Sequence, residues 1–168
     1  AVSMVPSKLP RAKDLLDRDV DLKMIIDNAD VAREISEYGE RFHRTFKVMI
    51  EIDVDMHRAG LSPGAPEVIE IAKALHEGAG TELAGVLTHA GESYGCYTPQ
   101  AIKDAAAHER DAITAAAENI RSAGYPCRVV SCGSTPTATF AEDLTGVTEL
   151  RAGIFVFQDA FQAGLGCC

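Results

Sequence analysis

Four short stretches carry side chains that can do chemistry, and each stands at the end of an apolar run. The first is Asp53 to Gly60, DVDMHRAG, where Arg58 is the only permanent cation and can hold an anion or a phenolate-like oxygen. A surface arginine paired with Asp53 or Asp55 would give the same pattern. The second is THAGESYG, Thr88 to Gly95, in which His89 can stack on a planar ligand and Tyr94 can donate a hydrogen bond. A lone histidine at a strand end can equally be structural. The third is SCGSTPT, Ser131 to Thr137. Small residues there let the backbone approach an anion, and a helix opening near Pro136 turns its N–H groups toward it, although a plain Ser/Thr cap looks similar. The fourth, ELRAGIFVF, carries Arg151 and Gly153, and the glycine permits close backbone approach. Small-residue phosphate sites on the last two strands of a barrel recur together, so the third and fourth stretches support each other.

The elements that must position these groups alternate. A short helix, KLPRAKDLLDR, precedes the strand LKMIIDN at Leu22 to Asn28, and ADVAREISEYGERF carries Val31, Ile35 and Tyr38 at helical spacing. FKVMIEIDV is near-continuously apolar, as a parallel strand covered on both faces should be. PEVIEIAKALHEG predicts a helix ending at Gly78 as its C′ residue, and LAGVLTHAG predicts the next strand. The longest helix is expected over Gln100 to Ala123, with Gly124-Tyr125-Pro126 as its stop, followed by the strand CRVVSCGST, a short helix from Thr137 to Asp143, and ELRAGIFVF as the last strand. With a strand stub at Ala1 to Val5 the count is six. Strands at this spacing predict a parallel sheet of the (β/α) barrel type, but a barrel has eight strands in about 250 residues, and this chain has 168.

Composition narrows the function. A net charge of −9, dispersed through the helices, argues against a nucleic-acid or anionic-membrane partner and fits a small-molecule enzyme domain. No apolar run is long enough to span a bilayer, and the N-terminal residues lack the pattern of a secretory leader, so a cytoplasmic setting is expected. Cys96, Cys127, Cys132, Cys167 and Cys168 are odd in number and show no C-x-x-C, which disfavours a disulfide scaffold or a cysteine zinc site. G-x-S-x-G, Walker and G-x-G-x-x-G motifs are absent. His43, His57, His76 and His108 read as surface positions.

Taken in order, EIDVDMHRAG, LTHAG with Tyr94-Gly95, SCGSTPT and TELRAGIFVFQD resemble the fold-type III, alanine-racemase-type pyridoxal-phosphate enzymes, most nearly the branch of D-threonine aldolase and D-serine dehydratase. The resemblance covers nearly all of residues 1–168 as a single partial barrel domain. It implies a (β/α)8 TIM-type barrel, here incomplete, lacking the first two strands and a C-terminal β domain, with FKVMIEIDV as the fifth strand.

By position, the resemblance places Arg58 near the cofactor's phenolic oxygen, His89 beside its pyridine ring and Tyr94 near the ring nitrogen, for which Arg151 of an R-x-G-I pattern is the rival partner. It gives Ser131, Gly133, Ser134 and Thr135 to a phosphate loop in which Ser134 replaces a usual glycine. Gly153 and Ile154 supply further phosphate-facing amides. The lysine that holds the cofactor would stand on the first barrel strand, and none of Lys8, Lys13, Lys23, Lys47, Lys73 or Lys103 has that context. Ligands for a divalent metal would fall beyond Cys168.

The activity implied is a lyase acting on D-3-hydroxy amino acids, of the D-threonine aldolase type or, alternatively, a D-serine dehydratase. The complete enzyme is expected to be a homodimer that uses pyridoxal 5′-phosphate and a divalent metal, and this chain alone is expected to be inactive. A non-catalytic pyridoxal-phosphate-binding domain, or a barrel for another phosphorylated metabolite, are the readings from other classes.

Overall fold

The computed structural model describes residues 4–167. Strand and helix alternate: α1 (Leu9–Leu16), β1 (Lys23–Ile26), α2 (Ala29–Phe42), β2 (Phe46–Ile52), α3 (Pro66–Glu77), β3 (Thr81–Thr88), α4 (Pro99–Ser122), β4 (Val129–Cys132), α5 (Thr135–Phe140), β5 (Glu149–Leu150) and α6 (Ala160–Gly164). The five described strands form one parallel sheet in sequential order, β1-β2-β3-β4-β5. A sheet whose strands follow the chain order, each joined to the next by a helix, is an arc of a (β/α) barrel. The sixth strand expected at Ala1–Val5 falls mostly outside the described residues; within them, the Met4 amide donates to the Ile25 carbonyl at 2.7 Å.

Local chemistry explains the boundaries. Asn28 caps α2 by accepting from the amides of Asp30 and Val31, and left-handed His43 closes it. Thr98 caps α4 with proline in the first turn. Gly78 follows α3 in an extended conformation, not as the left-handed C′ residue expected; its amide simply completes the last turn by donating to Ala74. Along β2, Phe46, Val48, Ile50 and Ile52 alternate into a core shared with Ile26, Ile35, Ile71, Leu75, Val86, Ile113, Ile120 and Val130. The helices α2, α3 and α4 cover that face. The register of β2 against β3 slips by one residue at Val48/Met49.

The end of the chain departs from expectation. Only Glu149 and Leu150 of ELRAGIFVF are strand; Gly153 turns to the helical region and Ile154–Val156 form one turn of 3-10 helix. Phe155, Val156 and Phe157 are 61%, 62% and 92% exposed, so this apolar run has no packing partner among the described residues to hold it extended. The expected helix at Thr137 to Asp143 is earlier, beginning at Thr135. Met56, Phe155, Val156, Phe157 and Phe161 leave apolar surface exposed.

Candidate active site at the strand ends

The four chemistry-bearing stretches meet at the carboxyl ends of β2 to β5. After β2 the chain folds back on itself, with the Asp53 amide donating to Leu61 and the Leu61 amide to Glu51. The Asp53 carboxylate organises that loop by accepting the amides of Asp55 (3.1 Å) and Arg58 (2.9 Å). Asp53 therefore binds the backbone of Arg58 and leaves the guanidinium free of it. The Arg58 side chain lies against Gly91, at the start of the turn that carries Tyr94, and among the described residues it makes no ion pair. An exposed guanidinium without an ion-pair partner is able to receive an anion.

His89 and Tyr94 follow β3. The His89 Nδ1 lies 3.2 Å from the Gly133 carbonyl oxygen. A carbonyl can only accept, so Nδ1 carries the proton and Nε2 presents its lone pair. Burial, reinforced by the Arg58 charge, lowers the ring's pKa despite its bond to Gly133, so the ring is neutral at neutral pH. Tyr94 sits on the 3-10 turn Gly91–Gly95, its ring 6.0 Å from that of His89 and stacked at 6.3 Å on Phe161. Burial raises its phenol pKa, partly offset by a backbone hydrogen bond at Thr135.

The low pKa of His89 carries a sign that can be tested. Where the unfolded chain binds the proton and the folded chain does not, folding stability falls as pH drops below about 6.5, the unperturbed imidazole value. Chemical denaturation between pH 7.5 and 5.5 should show a shallower decline for His89→Gln than for the parent; equal slopes would remove His89 from the balance.

The loop after β4 is tied down from within. Ser134 and Thr137 form a capping box at the start of α5. The Ser134 hydroxyl lies 2.7 Å from that of Ser93, which in turn donates to the Ala90 carbonyl. The Ser134 side chain thereby links the two strand ends. Gly133 has φ +117, and a Cβ there would fall inside the Arg151 backbone. Arg151 donates from Nε to the Ser131 hydroxyl at 2.9 Å and from its other end to the Thr88 carbonyl, while Ser131 also meets Glu149 at 2.5 Å. The Ile154 amide donates to the Thr135 hydroxyl at 3.0 Å.

His89, Tyr94, Arg151 and Ile154 are thus tied to the Gly133–Thr135 loop or to Ser131 just before it, with Gly153 exposed beside it, while Arg58 lies on the Gly91 turn. The amides of Gly133 and Ser134 already have internal acceptors, Glu109 and the Thr137 hydroxyl. The Thr135 hydroxyl, which accepts from Ile154, keeps its own hydrogen to offer.

Glu109 was not legible in the sequence. It lies in an alanine- and charge-rich helix and looks like a solvated residue, yet it is 2% exposed and takes three hydrogen bonds from the site's loops. The sequence offers Asp53 as a partner for the Arg58 side chain, whereas its carboxylate binds the backbone amides of Asp55 and Arg58. Cys132 is no nucleophile: burial, reinforced by the Glu109 charge, pushes its thiol up to about 12. No cluster of three His, Cys, Asp or Glu residues suited to a metal occurs among the described residues, and no described helix is long and apolar enough to cross a membrane. The four histidines read as surface positions are exposed.

A parallel β/α arc with basic, aromatic and small-residue strand ends defines a barrel-type small-molecule site. The chain belongs to the alanine racemase N-terminal domain family, which matches residues 4–160. The family is one of pyridoxal-phosphate-dependent enzymes. The chain is similar to D-threo-3-hydroxyaspartate dehydratase of Delftia sp. (strain HT23), 48% identical over 100% of this chain and 44% of the relative. The solved structure of that dehydratase superposes with a TM-score of 0.96 at 48% identity, over 100% of this chain and 44% of the other. D-serine dehydratase of Dictyostelium discoideum is 29% identical over 100% of this chain and 45% of its own length. D-threonine aldolase from Filomicrobium marinum gives a TM-score of 0.85 at 26% identity, over 96% of this chain and 43% of that one. The chain therefore spans under half the length of these relatives.

Proposed function

We propose that this chain forms the phosphate- and ring-facing wall of a pyridoxal-phosphate site in a lyase that dehydrates a D-3-hydroxy amino acid. The observation that carries the reading is the convergence of the β3 and β5 ends on the Gly133–Thr135 loop after β4, with the exposed Arg58 side chain, which makes no ion pair among the described residues, packed on the Gly91 turn beside them. The residues fit the group. Arg58 offers charge to an anionic oxygen. The neutral His89 ring gives a planar surface, and the Cβ-free Gly133 lets the Arg151 backbone close against the loop. Thr135, Gly153 and Ile154 line the phosphate end, while Ser131, Gly133 and Ser134 fix that loop.

When bound, pyridoxal phosphate supplies an electron sink for charge developing at the amino acid's α-carbon. The work of this chain's own residues is to bind and orient. Tyr94 and Arg151 are the two candidates for the ring nitrogen. Arg151 is committed to Ser131 and Thr88, whereas Tyr94 stands beside Thr135 with a phenol that keeps its proton, and Tyr94 is the favoured partner.

Dehydration is favoured over aldol cleavage by the 48% identity to the hydroxyaspartate dehydratase, against 26% to the D-threonine aldolase. A divalent metal belongs to this reading of the complete enzyme, in keeping with the similar dehydratase, of which a variant has been solved in a metal-free form.

A second reading, a domain that binds the cofactor reversibly without catalysis, is favoured by one observation. Lys23 and Lys47 both pair with Asp21 at the opposite, amino-terminal ends of their strands, and Lys103 pairs with Glu142 on the surface. Titrating the 168-residue chain with pyridoxal phosphate, followed by fluorescence, should give saturable binding that Arg58→Ala weakens. Turnover of D-threo-3-hydroxyaspartate or D-serine by the same preparation would exclude the carrier reading. Binding of inorganic phosphate with indifference to the pyridoxal moiety would overturn both.

A further inference from the structure

We propose that Glu109 is a positioning residue: buried within α4, it fixes the backbone on both sides of the His89–Gly133 hydrogen bond and so sets the direction and tautomer of the His89 ring. A carboxylate is costly to bury unless its oxygens are well supplied with donors. Here the supply comes entirely from the site's loops. Glu109 Oε1 accepts the amides of Ala90 and Gly133, both at 2.9 Å, and Oε2 accepts the Thr137 hydroxyl at 2.7 Å.

The arrangement closes a ring of contacts. The Ala90 amide shares its peptide with the His89 carbonyl, so anchoring it fixes the backbone that carries the imidazole. Gly133, anchored through its amide, turns its carbonyl to receive His89 Nδ1 at 3.2 Å. The two chain segments that meet at Glu109 Oε1 are therefore the two ends of the bond that orients the ring. Glu109 touches neither the ring nor the exposed crevice. An apolar residue would serve packing alone at this position, beside Ala106 and Ile113 on the buried face of α4. What an apolar residue cannot do is hold two amides from different strand ends on one atom.

This inference rests on the pyridoxal-phosphate reading only for what the ring faces; the ring's own geometry does not depend on it. The test is the nitrogen NMR spectrum of the His89 imidazole, assigned by comparison with His89→Gln. The parent and Glu109→Gln, whose carboxamide oxygen can keep both amides, should show the Nδ1–H tautomer. Glu109→Met and Glu109→Asp, which remove or retract that oxygen, should show a mixture of both tautomers. Pyridoxal phosphate should bind the Met variant about tenfold or more weakly than the Gln variant.

Folded Met and Asp variants that keep the parent tautomer would overturn the proposal. If neither folds, scalar couplings across the hydrogen bonds from the Ala90 and Gly133 nitrogens to the Glu109 carboxyl carbon decide the matter in the parent, and their absence overturns it. A parent that ignores pyridoxal phosphate yet shows the fixed tautomer would sink the functional reading and leave this one standing.

Discussion

Gly133→Ala is expected to abolish saturable pyridoxal-phosphate binding and to cost about 3 kcal/mol or more of stability. Two effects add. At φ +117 an alanine is strained whatever space surrounds it, and its Cβ would also overlap the backbone of Arg151. Relief requires β4 and the segment after β5 to separate. That movement would break the bond from the Arg151 amide to the Cys132 carbonyl and the guanidinium contacts to Ser131 and Thr88. Gly133 also holds His89 through its carbonyl and Glu109 through its amide, so a shift there reaches both neighbours. Denaturant unfolding and a fluorescence titration on the same preparation measure the two losses, and a variant that binds like the parent would show that the site does not depend on the approach of the Arg151 backbone to Gly133.

Phe46→Ala should destabilise the whole domain by about 3–5 kcal/mol, with the unfolding transition remaining single. Phe46 opens β2, is 1% exposed, and its ring lies 6.2 Å from that of Tyr38 on α2. Its amide also closes the turn before β3 by donating to Gly80. Deletion of the ring leaves a cavity between sheet and helix that the surrounding backbone is too well paired to fill. Because Phe46 lies at the end of the strand away from Arg58, the fraction of chain that stays folded should bind ligand with unchanged affinity. Loss of affinity in that fraction would mean that the strand's two ends are coupled.

The contrast between these residues shows what a sequence can carry. The βα rhythm was legible because each strand is a short apolar run with polar punctuation, and each helix has its period and caps. The clustering of Arg58, His89, Tyr94 and the Ser131–Thr135 loop was legible because strand ends in such a sheet share one edge. An apolar run such as the end of ELRAGIFVF looks the same in sequence whether it is paired or exposed; only the neighbours decide, and Phe155, Val156 and Phe157 stay largely exposed. Glu109 was hidden for the opposite reason. Its partners are two backbone amides and a hydroxyl from distant segments, and backbone amides leave no trace in residue identity.

The inward anchoring of the Gly133–Thr137 loop has a thermodynamic consequence. The Gly133 and Ser134 amides and the capping box are already engaged, so the conformational entropy of ordering these residues is lost when the chain folds and not when an anion arrives. A loop made rigid in advance lets more of each new contact appear as affinity. Association should then proceed without a slow closing step, and amide exchange in this loop should change little on saturation.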